Sequence, residues 1–163
     1  MAFDNKLRRT TGSVTLDLER FLPYRLSVLS NTVSAAIAET YSTRFGLSIP
    51  EWRVMAVLGR FPGISAAEVA ERTAMDKVAV SRAVSRLLDS SRIRRNFADA
   101  DRRRSILDLS TAGKRLYQRI APMLLEYESA LLSTLDTSER QQLDAILRRL
   151  ADQASRLGRP EIS

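Results

Sequence analysis

Residues 65–89 read SAAEVAERTAMDKVAVSRAVSRLLD and contain the start signals of two short helices. Ser65 followed by Glu68 is a capping box, in which each side chain bonds the other residue's backbone N–H, so it predicts the start of a short helix. Asp76 suits the cap position of a second helix that runs to about Asp89. Two short helices joined by three or four residues are typical of a helix-turn-helix.

The second helix of this pair has the features of a recognition helix. Its predicted inward stripe consists of Val80, Val84, Leu87 and Leu88. Its outer N-terminal face then carries Lys77, Val78, Ser81 and Arg82, and this part of a recognition helix enters the major groove. We expect Arg82 to pair with guanine, Ser81 to bond a base edge or a phosphate, and Val78 to touch a thymine methyl. Lys77 suits a phosphate, which adds affinity without sequence information. The alternative is that all four residues simply face solvent.

A predicted hairpin follows the two helices. Residues 92–97 and 105–109 have the alternating pattern of strands, and the polar segment 98–104 connects them. A two-stranded hairpin in this position is a wing. The sequence therefore predicts a mainly α fold, a winged helix-turn-helix with a two-stranded β wing.

Longer helical patterns flank this module. An apolar stripe at steps of three and four residues runs from about Leu16 to Arg44, and Ser48-Ile49-Pro50 begins another helix. Further helices are predicted at about 112–135, with Pro122 inside, and from Thr137 onward. The first and the last two of these helices carry more apolar surface than one small helix-turn-helix can bury. They are therefore interpreted as N- and C-terminal dimerisation helices, and the alternative is a monomer whose terminal helices fold back on its own core.

Composition favours a binding protein over an enzyme. The 163 residues carry a net charge of +7, and segment 76–104 holds nine of the basic residues against four acidic ones. Concentrated positive charge favours a polyanionic partner, although a solvated basic face is the alternative. The chain lacks both cysteine and histidine, which leaves no imidazole for catalysis and makes a zinc site or other cofactor unexpected. The sequence shows neither a signal-peptide pattern nor a membrane-spanning run, so a cytoplasmic location is expected.

The wing carries a resemblance to the MarR (multiple antibiotic resistance regulator) family. That family has an Asp-x-Arg element in its wing, followed by a strand and a Leu-Thr start to the next helix. This chain reads Asp101-Arg102-Arg103, then Ile106-Leu107-Asp108-Leu109-Ser110-Thr111. Residues 49–55, 80–82 and 93–95 resemble the family's second helix, recognition helix and first wing strand. The resemblance implies that Arg103 enters the minor groove, that Asp101 orients it, and that Arg102 and Arg104 contact phosphates.

One departure from the family pattern lies between the recognition helix and the wing. The family has a glycine there, where a left-handed residue closes the helix. This chain has Ser90-Ser91, so we expect a distorted or slightly strained helix end.

The resemblance also implies an organisation and a function. Residues 1–163 would form a single MarR-like domain, with dimerisation helices at 16–45 and 112–157 around a DNA-binding lobe at 48–110. A homodimer would bind a pseudo-palindromic operator as a transcription regulator, with repression expected. A small aromatic, anionic or acyl-thioester effector would release it. The segments that would line the effector cleft contain Tyr24, Tyr41, Trp52 and Arg53, together with Phe45. Aromatic residues at helical spacing belong more often to a core than to a pocket, so that alternative stays open.

A different function class remains as the second reading. A winged-helix module can bind a protein or RNA partner without operator specificity. The wing tip argues against this, because a protein-binding surface has little need for three consecutive arginines beside Asp101.

Overall fold

A computed structural model of the chain describes residues 9–10, 13–98 and 101–158, and side chains within residues 15–97 and 105–158. Its helices are α1 (Leu22–Phe45), α2 (Ile49–Arg60), α3 (Ala66–Thr73), α4 (Lys77–Asp89), α5 (Thr111–Leu132) and α6 (Thr137–Leu157). Its strands are β1 (Arg9–Thr10), β2 (Ser13–Val14), β3 (Ile93–Ala98) and β4 (Asp101–Leu109). The mainly α fold with a two-stranded wing is thereby confirmed. Within the described residues, no helix is both long and apolar enough to cross a membrane.

The chain divides into two compact units, Met1–Tyr117 and Gln118–Ser163. The first unit contains the small β1–β2 hairpin, helices α1 to α4, the antiparallel wing formed by β3 and β4, and the start of α5. The second unit contains the rest of α5 and α6. The first unit therefore holds every element of the predicted helix-turn-helix and wing.

Capping boxes fix the starts of α2 and α3. Ser48 Oγ accepts a hydrogen bond from the Glu51 N–H at 3.4 Å, and Glu51 Oε2 accepts one from the Ser48 N–H at 2.7 Å. The same exchange joins Ser65 and Glu68, at 3.3 Å and 2.9 Å. Each box satisfies two backbone N–H groups that a helix start otherwise leaves unpaired. The two helix starts predicted from the sequence are confirmed.

The core of the first unit lies where α2, α3 and α4 meet the base of the wing. Its buried side chains come from all of these elements: Val54, Met55, Leu58, Val69, Val80, Val84, Leu87, Ile93, Leu107 and Leu109. A single β-bridge joins Ile64, before α3, to Leu107 of the wing. The wing base is thus fixed to the helix-turn-helix by both packing and backbone hydrogen bonds.

The first helix is shorter than the sequence predicted. Helix α1 begins at Leu22 instead of Leu16, after an extended Phe21 at φ −77° and ψ 108°. Pro23 lies in the first turn, where a missing N–H and a fixed φ cost nothing, and this sets the start. The apolar residues at 16, 18 and 21 therefore precede the helix even though they share its periodicity. Helix α5 ends at Leu132, short of the predicted 135, and continues through Pro122.

The second wing strand is longer than predicted. Strand β4 begins at Asp101 instead of Ser105, so most of the predicted connection 98–104 is strand. The register shifts near the tip, because Phe97 pairs with Ser105 whereas Ala98 pairs with Asp101. Apolar alternation marks a strand only where one face is buried. The outer wing lacks that alternation, so the charged stretch resembled a loop.

Candidate nucleic-acid interface

The outer face of α4 is positioned by its cap and its core contacts. Asp76 Oδ1 accepts a hydrogen bond from the Ala79 N–H at 2.8 Å and fixes the helix start. The side chains of Val80, Ala83, Val84 and Leu87 are buried. The residues predicted to read DNA all lie on the exposed opposite face: Lys77, Val78, Ser81 and Arg82. Val78 is 58% exposed although it is aliphatic, so its side chain is free to meet an apolar group of a ligand.

The exposed stripe extends one turn beyond the four residues predicted from the sequence. Ser85 and Arg86 are also exposed, and each lies four residues after a member of the predicted set. Residues at that spacing are neighbours on a helix surface, so the signal was present in the sequence. The extended stripe gives α4 a third outward-facing basic side chain.

The wing adds basic groups next to α4. Arg94 and Arg95 are exposed on β3. Asn96 Nδ2 donates to Asp108 Oδ2 at 3.3 Å across the two strands. The backbone of residues 101–104 belongs to β4, but the side chains of Asp101, Arg102, Arg103 and Arg104 lie outside the described residues. Their predicted roles in the minor groove remain predictions.

The junction between α4 and the wing contains the left-handed residue expected at that place. Ser91 has φ +54°. Its N–H donates to the Leu88 carbonyl at 2.9 Å, and the Arg92 N–H donates to the Leu87 carbonyl at 2.8 Å. This pair of bonds is the Schellman motif, normally closed by glycine. The helix end is thus regular instead of distorted, and the strain lies in the backbone of Ser91.

Side chains connect this junction to α5 and α1. Ser110 Oγ donates to the Ser91 carbonyl at 2.7 Å and accepts from the Gly113 N–H at 2.9 Å, so it caps α5. The Arg92 Nη2 donates to the Phe45 carbonyl at 2.6 Å, at the end of α1. Gly113 is packed so closely that a Cβ there would lie 1.9 Å from the Arg92 carbonyl oxygen. The junction between α4 and the wing is therefore tightly connected to α5 and to the end of α1.

The winged helix-turn-helix of this chain is similar to that of known proteins. The sequence model of the MarR family matches residues 45–104, which run from the end of α1 into the wing. The crystal structure of a MarR/EmrR family transcriptional regulator from Acinetobacter sp. ADP1 superimposes with a TM-score of 0.80 at 26% identity, covering 86% of this chain and 99% of that one. The chain is similar to the MarR family.

Relatives of known type agree with this similarity. The helix-turn-helix transcriptional regulator BilQ of Clostridium symbiosum is 29% identical over 105 residues, which cover 64% of this chain and 73% of BilQ. A helix-turn-helix transcriptional repressor from Mycobacterium tuberculosis is 25% identical over 131 residues, covering 80% of this chain and 91% of the repressor. This chain is a DNA-binding transcriptional regulator and not an enzyme.

The four residues predicted to line the effector site do not all lie together. Tyr41 and Trp52 pack with ring centroids 5.6 Å apart, and Trp52 stacks on Tyr117 at 5.7 Å. Tyr41 is 1% exposed and Trp52 8%, so both rings belong to the core between α1, α2 and the start of α5. Tyr24 lies near the start of α1 and is exposed. At 1.5 Å per residue, it is about 25 Å along the helix from Tyr41.

Arg53 links this aromatic cluster to α1. Its Nη2 donates to Ser34 Oγ at 3.1 Å. Burial raises the pKa of Tyr41, and the positive charge of Arg53 offsets part of that rise. The neutral phenol is therefore the form that the fold stabilises at physiological pH. Tyr117 was not among the predicted residues, because its place beside Trp52 depends on long-range packing.

Proposed function

We propose that the chain is a homodimeric repressor that binds a pseudo-palindromic operator in the cytoplasm through α4 and the wing. The observation that carries the proposal is the exposed polar stripe of α4 above a buried Val80, Ala83, Val84 and Leu87. A helix whose inner face is core and whose outer face is basic and unpartnered has the arrangement of a recognition helix. The repressor of M. tuberculosis supports repression as the mode of control.

Each exposed residue of α4 has a contact that suits its chemistry. Arg82 pairs bidentately with the O6 and N7 atoms of guanine, and Val78 touches a thymine methyl. Ser81 bonds a base edge or a phosphate, whereas Lys77 neutralises a phosphate. In the wing, Arg103 enters the minor groove and Asp101 holds its rotamer, while Arg102 and Arg104 contact flanking phosphates.

Uncovered apolar surface on the arms supports the homodimer. In a single chain α6 has no buried residue, and its exposed large side chains share a helical spacing: Leu143, Ile146, Leu147, Leu150 and Leu157. Helix α1 likewise exposes Leu22, Leu26 and Leu29. Covering a half-exposed leucine contributes about 1 kcal/mol, so these residues of two copies supply on the order of 10 kcal/mol. That is comparable with the estimated cost of association, so pairing the arms is feasible. The division into arms (16–45 and 112–157) and a lobe (48–110) is part of this proposal.

Two measurements test the dimer and its operator. Light scattering at micromolar concentration should give twice the protomer mass of 18.3 kDa. Selection from random duplexes should return a pseudo-palindrome whose half-site centres are about 34 Å apart, one DNA turn. A protomer mass, or a pool that stays random while binding depends steeply on salt, would contradict the proposal.

Arg103→Ala tests the wing on the selected operator. We expect it to weaken binding by more than the loss of one charge explains, because a minor-groove contact disappears together with a counterion-releasing group. Arg102→Ala is the matched control, since it removes an equal charge from the adjacent position. Equal losses for the two variants at every salt concentration would remove the special role of Arg103.

We also propose that a small aromatic, anionic or acyl-thioester effector weakens DNA binding. Tyr41, Trp52 and Arg53 lie together at the α1–α2 contact, where an aromatic ring and a positive charge suit an aromatic anion. Tyr24, near the start of α1, is the fourth residue of the predicted cleft. An effector lowers the affinity for DNA only to the extent that it binds a conformation unable to bind DNA more tightly than the DNA-binding conformation. A structure of PcaV from Streptomyces coelicolor is described as a complex with its natural ligand, which is a property of that protein.

Trp52 fluorescence tests the effector site. Titration with aromatic acids and acyl-CoA thioesters should change the emission, and Arg53→Met should weaken the response to anions. Saturating ligand should also release the operator. A flat titration with every compound, or a response that Arg53→Met leaves unchanged, would count against these residues.

A further inference from the structure

Phe97 is the most exposed aromatic residue in the described part of the chain, with 61% of its surface open to solvent. It lies near the outer end of β3, one residue before the strand ends. Burying an aromatic ring is among the largest apolar gains available to a side chain. A ring left open at the end of a projecting hairpin therefore indicates a partner that covers it.

The position of Phe97 follows from the register of the wing. Ile93, Arg95 and Phe97 alternate onto one face of β3, opposite Leu109, Leu107 and Ser105. At the base this face is core, because Ile93, Leu107 and Leu109 are buried. Phe97 lies two positions further out on the same face of β3, and there the helices no longer cover this face. Phe97 thus projects from the face of the wing that is turned towards the helix-turn-helix.

The surroundings of Phe97 decide the class of partner. Arg94 and Arg95 on the same strand are exposed, and three arginines occupy positions 102–104 on the opposite strand. A protein partner would have to neutralise this concentration of positive charge. DNA does so with its phosphates and also presents the apolar edges of its deoxyribose rings inside the minor groove.

We propose that Phe97 is an apolar DNA contact of the wing, with its ring packed against deoxyribose in the minor groove. The inference rests on the proposed function, because it needs the wing to approach the minor groove. The arginines supply the electrostatic, salt-dependent part of wing binding. Phe97 supplies a part that releases no counterions and is nearly independent of base sequence.

The test compares Phe97→Ala and Phe97→Leu with wild type across a salt series. Phe61→Ala is the matched control, because Phe61 is an exposed phenylalanine of the same unit outside the wing. Phe97→Ala should lose about tenfold in affinity for each docked wing, as expected for uncovering an aromatic ring. The slope of log K against log salt should not change, and Phe97→Leu should recover most of the loss. Phe61→Ala should stay within about twofold of wild type.

Hydroxyl-radical footprinting locates the contact, since the radical attacks deoxyribose hydrogens that line the minor groove. Wild type should protect the sugars that flank each major-groove site, and Phe97→Ala should lose that protection alone. Thermal unfolding of the variant should match wild type, because an exposed side chain contributes little to folding.

Two results would overturn the inference. One is affinity and protection equal to wild type, and the other is a lost protomer contact in place of a lost DNA contact, seen as a change in mass by light scattering. The proposed function is judged separately, by whether wild type selects an operator at all. Even if it does not, Phe97→Ala must weaken binding to a random duplex, because a sugar contact does not depend on sequence.

Discussion

Replacing Ser91 with glycine should make the protein more stable. Ser91 occupies the left-handed region at φ +54° to close α4, which costs an L-residue roughly 1–2 kcal/mol. Glycine avoids that cost but adds about 0.5–1 kcal/mol of entropy to the unfolded chain. The two Ser91 backbone bonds, N–H to Leu88 and carbonyl to Ser110, remain available to glycine. The net expectation is a gain of about 0.5–1 kcal/mol in the free energy of unfolding.

The neighbouring serine provides the matched control. Ser90 has φ −84°, an ordinary value for any residue, and its hydroxyl donates to the Arg86 carbonyl at 2.8 Å. Ser90→Gly removes that bond and adds chain entropy, so it should cost about 1 kcal/mol. Adjacent substitutions of identical chemistry are therefore expected to have opposite signs.

Urea unfolding of the two variants and wild type at one protein concentration provides the measurement. Ser91→Gly should raise the urea concentration at the unfolding midpoint, and Ser90→Gly should lower it. In a thermal scan the melting temperature should shift in the same directions, by about 2–4 °C per kcal/mol. If both variants move the same way, or if Ser91→Gly is less stable than wild type, the strain is not in the backbone of Ser91.

Three further outcomes follow from the same physical reasoning. Gly113→Ala should lower the free energy of unfolding in urea by about 2–4 kcal/mol, because its Cβ would lie 1.9 Å from a backbone oxygen. Lys114→Ala, at the next and exposed position, should leave this free energy nearly unchanged. Ser48→Ala should cost about 1 kcal/mol by removing one half of a capping box; a change within error would mean that the box adds nothing. Burial raises the pKa of Tyr41 above its usual 10.0, so the unfolded state loses its proton first and stability should fall as the pH rises past that value. Tyr41→Phe should reduce this fall, and an unchanged alkaline profile would contradict it.

Local features of the sequence predicted the reading module well. The caps at Ser48, Ser65 and Asp76 act within three residues, so their hydrogen bonds are visible as spacing in the sequence. The inward residues of α4 follow from periodicity alone, and they determine which side chains face outward. The exposed stripe was therefore predictable, and its extension to Ser85 and Arg86 needed only one more step of four.

The errors lie where local pattern and tertiary context differ. The apolar periodicity extends towards the N-terminus as far as Leu16, but Pro23 sets the start of α1 at Leu22. The apolar pattern is therefore longer than the helix. The outer part of β4, residues 101–104, is a charged stretch of sequence without the apolar alternation by which strands are recognised. The serine in place of glycine led us to expect a distorted or slightly strained helix end. The distortion is absent, because the backbone adopts the ordinary motif, and the strain is the left-handed conformation of Ser91.

The aromatic residues show a different limit. Tyr41 and Trp52 were expected to line a cleft, with a core role as the alternative, and in one chain they are buried against each other. Their partner Tyr117 lies 65 positions beyond Trp52 in the sequence, and no short-range pattern predicts such a contact. Phe97 was noted only as a strand residue, because its exposure becomes visible when the register of the wing is known.

Whether α4 reads the operator is decided by measuring the base preference of Arg82→Ala and Lys77→Ala on duplexes selected by wild type. If α4 reads DNA as proposed, Arg82→Ala should lose preference for a guanine at one position of each half-site, at a cost of about 1–3 kcal/mol there. Lys77→Ala should weaken all duplexes equally and reduce the salt slope by about one. If Arg82→Ala keeps the wild-type preference and merely binds more weakly everywhere, α4 is not the element that reads the operator.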